Sequence, residues 1–390
     1  MIFWMHLTTG LTIGAVVLTM AGTGVLLTYQ RQIQARADTR GLEGGPPHAG
    51  AQLLPPDAIA GAVRGVTDAM ITGIRWRREA DAPVEVELGR ERMLFVNAYT
   101  GAVLGAGSAR THAFFRGVTD VHRWLALNDK QSIGRAITGA ANLAFLFMVL
   151  SGSYLWWPRR PTARGFRNVM MFRRGLRAKA RDFNWHNVIG FWSLAPLAVI
   201  IFSAVVISYA WAGGLVERAA VEVRDSASPP SERRAPPVEP GRELERGVVL
   251  LTRARSHVDD WRSITLQLPV RSGVARFLID SGTGGQPQKQ GELALAAATG
   301  EVIEWMPFAS GPRAGRVRSI LRYLHTGEVL GIAGQTIAGV VSAGAVLLVW
   351  TGASLALRRF GAWRRRDGRP PARAVGSVEP ADAAPDFSSG

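Results

Sequence analysis

Four stretches of this chain contain no Lys, Arg, Asp or Glu: Met1 to Gln30, Ala136 to Pro158, Phe183 to Val216 and Val329 to Leu357. They are 30, 23, 34 and 29 residues long, and about 20 apolar residues are enough to cross the hydrocarbon of a bilayer. A segment surrounded by hydrocarbon must satisfy its own backbone hydrogen bonds, which leaves helices or closed barrels as the only spanning structures. The stretches predict four transmembrane helices, near 4–28, 134–157, 187–211 and 331–357. Composition agrees. Charged residues make up 19% of the chain, against roughly 25% in soluble domains, and the mean hydropathy is positive. A disordered chain, charge-rich and poor in apolar residues, is excluded. The chain has no cysteine, which excludes disulfides, thiolate metal sites, cysteine-ligated iron–sulfur clusters and covalently attached c-type haem.

The formal net charge of +16 would suit nucleic acid if it were spread over a soluble surface, but its distribution indicates a membrane topology. Arg159 to Asp182 holds nine Lys/Arg and one acid, and the tail after Leu357 holds seven Lys/Arg. The long segments are nearly balanced, with 13 Lys/Arg against 11 acids in 31–130 and 16 against 14 in 212–330. Positive charge near membrane helices stays in the cytoplasm. The expectation is a multi-pass protein of a bacterial inner membrane, with both termini and the basic loop cytoplasmic and both long segments outside. Nucleic acid is not expected as a partner; the lipid bilayer is. The first helix is the exception, since no Lys or Arg precedes it while Arg31 and Arg36 follow it. A cleaved signal peptide would need a basic leader and a shorter apolar run, so an uncleaved span is expected, with a start further upstream left open.

The chain also resembles itself. At an offset of 200, Gly134, Gly139, Gly152 and Arg159 fall on Gly334, Gly339, Gly352 and Arg359; at 180, His6 and Gly10 fall on His186 and Gly190. In the long segments "NAYTGAVLG" (97–105) resembles "AAATGEVIE" (296–304). The expected fold is mainly α, with four membrane helices in two tandem repeats, each carrying a small outer α+β module of one helix and about three strands. The boundaries follow: helix 1 at 1–30, module 1 at 31–130, helix 2 at 131–158, basic loop at 159–184, helix 3 at 185–212, linker and module 2 at 213–328, helix 4 at 329–358 and tail at 359–390. Within the second long segment, 224–243 reads as a disordered linker. The Gly-rich run at 281–291 lacks a Walker lysine and a strand–loop–helix setting, and reads as a hairpin loop.

Four of the seven histidines stand at or just before the hydrophobic spans: His6, His122, His186 and His325. The topology places His6 with His186 at the cytoplasmic face and His122 with His325 at the outer face. One interfacial histidine would ordinarily be snorkelling its polar edge to water; four, paired by repeat and by depth, point to ligation. Zinc would need two further ligands that the spans do not offer. A b-type haem needs two axial nitrogens, an apolar slot and cations for its propionates. Arg123, Arg135 and Arg322 are candidates for the propionates, and Gly10, Gly190, Gly134 and Gly334 for backbones standing back from a flat macrocycle.

The helix–outer module–helix order, the "HxxxG" helix starts and the paired Thr-Gly strand ends resemble the PepSY-associated transmembrane proteins, over about residues 1–360. The resemblance implies PepSY-like periplasmic modules, two b-haems held by His6, His122, His186 and His325, and reduction of ferric siderophores in the periplasm. Some relatives continue into a cytoplasmic flavin domain. Here a cytoplasmic flavin or NAD(P)H reductase, or quinol, would donate the electrons, and a homodimer is compatible with such a chain. The first helix lacks the family's basic lead-in, and the stretch from His325 to Gly334 is three residues shorter than that from His122 to Gly134. Two other classes compete: a regulatory membrane protein whose outer modules bind peptides, without redox activity, and a metal permease. The permease fares worst, having no acid or broken helix in mid-membrane.

Overall fold

The computed structural model describes residues 1–89, 92–157, 162–221 and 247–367; the expected linker at 224–243 and the end of the tail lie outside them. The first half runs α1 (Ile2–Leu27), α2 (Gln30–Asp38), α3 (Pro56–Arg64), β1 (Ile71–Arg77), β2 (Val84–Leu88), β3 (Arg92–Val96), β4 (Val103–Ala106), α4 (Ala109–Trp124), a short 3-10 turn (Asn128–Lys130) and α5 (Gln131–Trp156). After α6 (Ala163–Met170) a similar order returns. It comprises α7 (Ala178–Ser208), α8 (Ala210–Val221), α9 (Gly247–His257), β5 (Ser263–Gln267), β6 (Val274–Asp280), β7 (Gln290–Ala296), β8 (Val302–Pro307), α10 (Arg313–His325), a 3-10 turn (Glu328–Leu330) and α11 (Gly331–Asp367).

Four helical segments are long and apolar enough to span a bilayer: Ile2–Leu27, Asn128–Trp156, Ala178–Ser208 and Glu328–Arg364. Two helices outrun their sequence boundaries. Helix α7 begins at Ala178, ahead of the apolar stretch, because Ala178 to Arg181 favour helix and Asp182 is tied down at the helix start. Its Oδ2 accepts from Ser354 Oγ of α11 at 2.8 Å, and its Oδ1 accepts from Arg181 Nη2 at 2.9 Å. Helix α11 continues past 358 to Asp367, where the sequence boundary had put the tail. Arg359 lies over the rings of Phe3 at 5.0 Å and Trp4 at 4.8 Å, a cation–π contact that holds this basic end against α1. The helices form a bundle in which α1 packs on α5 and α11, and α7 packs on the same two. Helices α1 and α7 therefore stand on one diagonal. An apolar centre of Val149, Leu197, Ile201, Val341 and Ala345 fills the middle.

Each half contributes four strands, one more than expected, and the eight make a single antiparallel sheet in the order β4-β3-β2-β1-β5-β6-β7-β8. The halves meet edge to edge where β1 pairs with β5, Ile74 opposite Leu266 and Arg75 opposite Thr265. Alternation explains the two faces. Ile74, Trp76, Val84, Val86, Ile264 and Leu266 join Ile59 and Val63 of α3 and Leu250 and Leu251 of α9 in the main core. The other face carries charge across the seam: Arg75 bonds Glu85 at 2.8 Å, Glu87 at 2.5 Å and Thr265 at 3.1 Å, while Arg77 also reaches Glu85. Glu85 is only 2% exposed, so this network is what makes burying its carboxylate tolerable. The run at 281–291 does form a hairpin loop, between the antiparallel strands β6 and β7.

The corners between sheet and bundle depend on glycine. Leu125 and Ala126 take left-handed backbone after α4, as do Gly327 and Gly331 after α10. A Cβ on Gly134 would overlap the Trp124 carbonyl, and one on Gly334 the Gly327 carbonyl. The sequence reading assigned both glycines to a macrocycle; their evident reason is this backbone crossing. Gly334→Ala should lower stability by about 1–3 kcal/mol through overpacking. Gly117→Ala, in α4 with open space around it, should raise stability by roughly 0.5–1 kcal/mol. Thermal unfolding of both variants in detergent checks the contrast.

Candidate functional site

The four histidines fall into two sets at opposite ends of the bundle. His122 and His325 lie at the end nearer the sheet, on α4 and α10, the short helices that precede the second and fourth spans. The three-residue difference after them is taken up by two further helical residues, Arg123 and Trp124, and one extra residue in the connection. Their rings face each other with centres 6.4 Å apart and planes tilted by 56°. His6 and His186 lie at the other end, near the starts of α1 and α7, on the diagonal helices and within electrostatic reach of one another.

Each ring is fixed through Nδ1. His6 Nδ1 is 2.9 Å from Ser151 Oγ of α5, and His186 Nδ1 is 3.0 Å from Thr351 Oγ1 of α11. His122 Nδ1 is 2.8 Å from Thr23 Oγ1 of α1. His325 Nδ1 is 3.0 Å from the Ile200 carbonyl of α7, with Ser203 Oγ at 3.4 Å. Among the described residues, none of the four Nε2 atoms has a hydrogen-bond partner. His112 provides the contrast: its Nε2 is taken by Asp38 at 2.8 Å and its Nδ1 by Gln34 at 3.2 Å, so it is a structural histidine.

Small residues stand against the rings. A Cβ on Gly152 would come within 3.3 Å of His6 Cε1, one on Gly352 within 3.4 Å of His186 Cε1 and one on Gly24 within 3.8 Å of His122 Cε1. These positions, rather than Gly134 and Gly334, give the imidazoles room. Gly10 and Gly190 face Met148 and Leu348 instead. Arg123, Arg135 and Arg322 are all exposed. Arg123 lies over Trp124 at 4.9 Å and Arg322 over Tyr323 at 5.9 Å. Of the three, the structure brings only Arg123 within electrostatic reach of a histidine, the adjacent His122.

Two imidazoles with a bond of about 2 Å each to a shared metal would have ring centres roughly 6 Å apart, which the sheet-end pair matches. No group of three or more His, Asp or Glu that could hold a metal ion occurs among the described residues, and each histidine pair offers two imidazole nitrogens, fewer than the four ligands of a tetrahedral zinc site. The middle of the bundle between the two ends is filled by packed apolar side chains. Above the sheet-end pair, the 281–289 loop docks on the bundle: Gln288 Nε2 donates to the Val329 carbonyl at 2.8 Å, and Arg31 meets Glu328 at 3.0 Å. Burial alone would lower the pKa of Arg31, but the hydrogen bond and charge of Glu328 outweigh it and raise it.

A family model described as the PepSY-associated TM region matches residues 3–359. The chain belongs to this PepSY-associated transmembrane family. No curated protein sequence matches it. Membership and the four candidate spans make this a membrane protein, with the bilayer as its surroundings. All four histidines of this PepSY-associated chain lie within the matched region. Sequence reasoning missed their partners, the hydroxyls of Thr23, Ser151, Ser203 and Thr351.

The exposed arginines and the buried Asp182 should respond differently to truncation. Arg135→Ala should change stability by less than about 0.5 kcal/mol, as for other surface positions. Asp182→Ala removes charge-assisted bonds between α7 and α11 one turn from His186, and should cost about 1.5–3 kcal/mol. Chemical or thermal unfolding of the two variants checks this.

Proposed function

We propose that the protein is a b-haem electron-transfer protein that reduces ferric siderophores, or similar ferric chelates, at the sheet end of the bundle. The supporting observation is the arrangement of two histidine pairs at opposite ends of a four-helix bundle, each ring anchored through Nδ1 with Nε2 unpartnered. The charge distribution supports the bacterial inner membrane, with both termini and the α6 loop cytoplasmic and the sheet periplasmic. The shared element order supports two tandem repeats whose strands are PepSY-like modules. The family match supports the reading only at the level of a membrane protein.

Haem held by such a histidine pair would supply one-electron transfer and would have no protein-free position for oxygen. The residues divide the work. His6 and His186 hold the site at the donor end, where a flavin or NAD(P)H reductase, or quinol, gives up electrons. His122 and His325 hold the site at the sheet end, where the chelate is met. His6 and Thr23, the partner of His122, are 17 residues apart on α1 (23 minus 6), which is about 26 Å of helix. His186 and Ser203 have the same separation on α7. One electron passed to a ferric chelate leaves ferrous iron, which oxygen donors hold more weakly, so the metal is released. Exposed Arg123, Arg135 and Arg322 are the cations available to propionates or to an anionic chelate.

Pyridine haemochrome analysis of protein made with ample haem should give two haems per chain. His186→Ala and His325→Ala should each give one, and both should lose chelate reduction driven by the donor. Wild-type protein without haem would overturn the function. For topology, a phosphatase reporter fused within 224–243 should be active and one within 160–180 inactive; the reverse result would exchange the roles of the pairs.

A further inference from the structure

The histidines are held by groups that decide which ring nitrogen carries the proton. A hydroxyl has one hydrogen to give and lone pairs to accept with. Thr351 Oγ1 lies 2.7 Å from the Leu347 carbonyl and 3.2 Å from that of Leu348. Thr23 Oγ1 lies 2.7 Å from the Thr19 carbonyl and 3.0 Å from that of Met20. Ser151 Oγ lies 3.3 Å from the Met148 carbonyl. For Thr23 and Thr351 the hydroxyl hydrogen is thus taken by a close carbonyl of its own helix, leaving the oxygen to accept from the imidazole, whereas Ser151 has only the longer contact. In His122 and His186, Nδ1 must then be the protonated nitrogen, and the lone pair lies on Nε2.

His325 reaches the same state by another route. Its Nδ1 faces the Ile200 carbonyl at 3.0 Å, which can only accept. Ser203 Oγ is farther, at 3.4 Å, and lies 2.8 Å from the carbonyls of both Val199 and Ile200. The backbone already fixes this ring, so Ser203 is a minor partner.

We propose that Thr23 and Thr351 are positioning residues that, with the Met20 and Leu348 carbonyls beside them, lock His122 and His186 with Nδ1 protonated and Nε2 ready to ligate, whereas His325 is held by the Ile200 carbonyl. The inference rests on the haem reading of the pairs and adds the groups that set tautomer, ring orientation and ligand basicity. Partners of this kind are typically worth 10–100-fold in affinity. An Nδ1–H donating to an oxygen also makes the imidazole a stronger donor to ferric iron, so its loss should raise the reduction potential.

The test uses the purified full-length chain and reads haem loss to an apo-globin scavenger together with the midpoint potential of each site. Thr351→Val and Thr23→Val keep shape but remove the acceptor. Each should release haem from its own site about 10–100-fold more readily and raise that site's potential. Thr351→Ser and Thr23→Ser restore the hydroxyl and should behave like the wild type, separating loss of the acceptor from a folding defect. Ser203→Ala should leave both readouts unchanged. The proposal is overturned if the Val variants hold haem at the wild-type potential, if the Ser variants fail to rescue, or if Ser203→Ala loses as much as they do. A wild-type protein without haem overturns the underlying function, and this inference with it.

Discussion

Hydrocarbon offers no hydrogen-bond partner, and the architecture follows from that constraint. It makes the charge-free stretches helical, since only a helix pairs every backbone group within one segment. It also requires each polar side chain between the helices to find its partner in the protein. Thr23, Ser151, Ser203 and Thr351 meet the requirement by bonding back to their own helices, and their oxygens are then available to the histidines. The same constraint explains Asp182, whose carboxylate at the bundle's edge is met by Ser354 and Arg181.

Much of this was legible in the sequence because hydrophobic length and repetition survive without any knowledge of tertiary contacts. The four spans and the four paired histidines came from those signals alone. The missed hydroxyls were present in the same signals: at the offset of 180 that carries His6 onto His186, Thr23 falls on Ser203, and at 200, Ser151 falls on Thr351. A hydroxyl in a membrane helix looks like an ordinary small packing residue until the ring opposite is known. The glycines misled for the related reason that glycine marks close approach without naming the neighbour. Gly134 and Gly334 admit a carbonyl, while Gly152 and Gly352 admit an imidazole.

The sheet was less legible. Alternation in "APVEVELG" and "RSITLQLP" announces strands but cannot reveal that β1 of one half pairs with β5 of the other, because cross-strand partners 190 residues apart leave no local mark. The seam explains why charges sit in mid-sheet: Arg75, Glu85 and Glu87 neutralise one another across the strands that join the halves. Helices run on beyond their apolar stretches where a basic segment also favours helix, as in α11. The docked 281–289 loop and the Arg31–Glu328 pair tie the sheet to the turn that follows His325. The sheet-end pair is thus braced both by the bundle and by the sheet.

The central claim is that each haem would be held by two histidines with no position left open. Carbon monoxide added to the dithionite-reduced protein tests it most directly, because the gas binds ferrous haem only where an axial position is free. The account predicts a reduced spectrum that carbon monoxide leaves unchanged in the wild type, and equally unchanged for the single haem kept by His325→Ala or His186→Ala. A carbon monoxide adduct formed at once by the wild-type protein would contradict it.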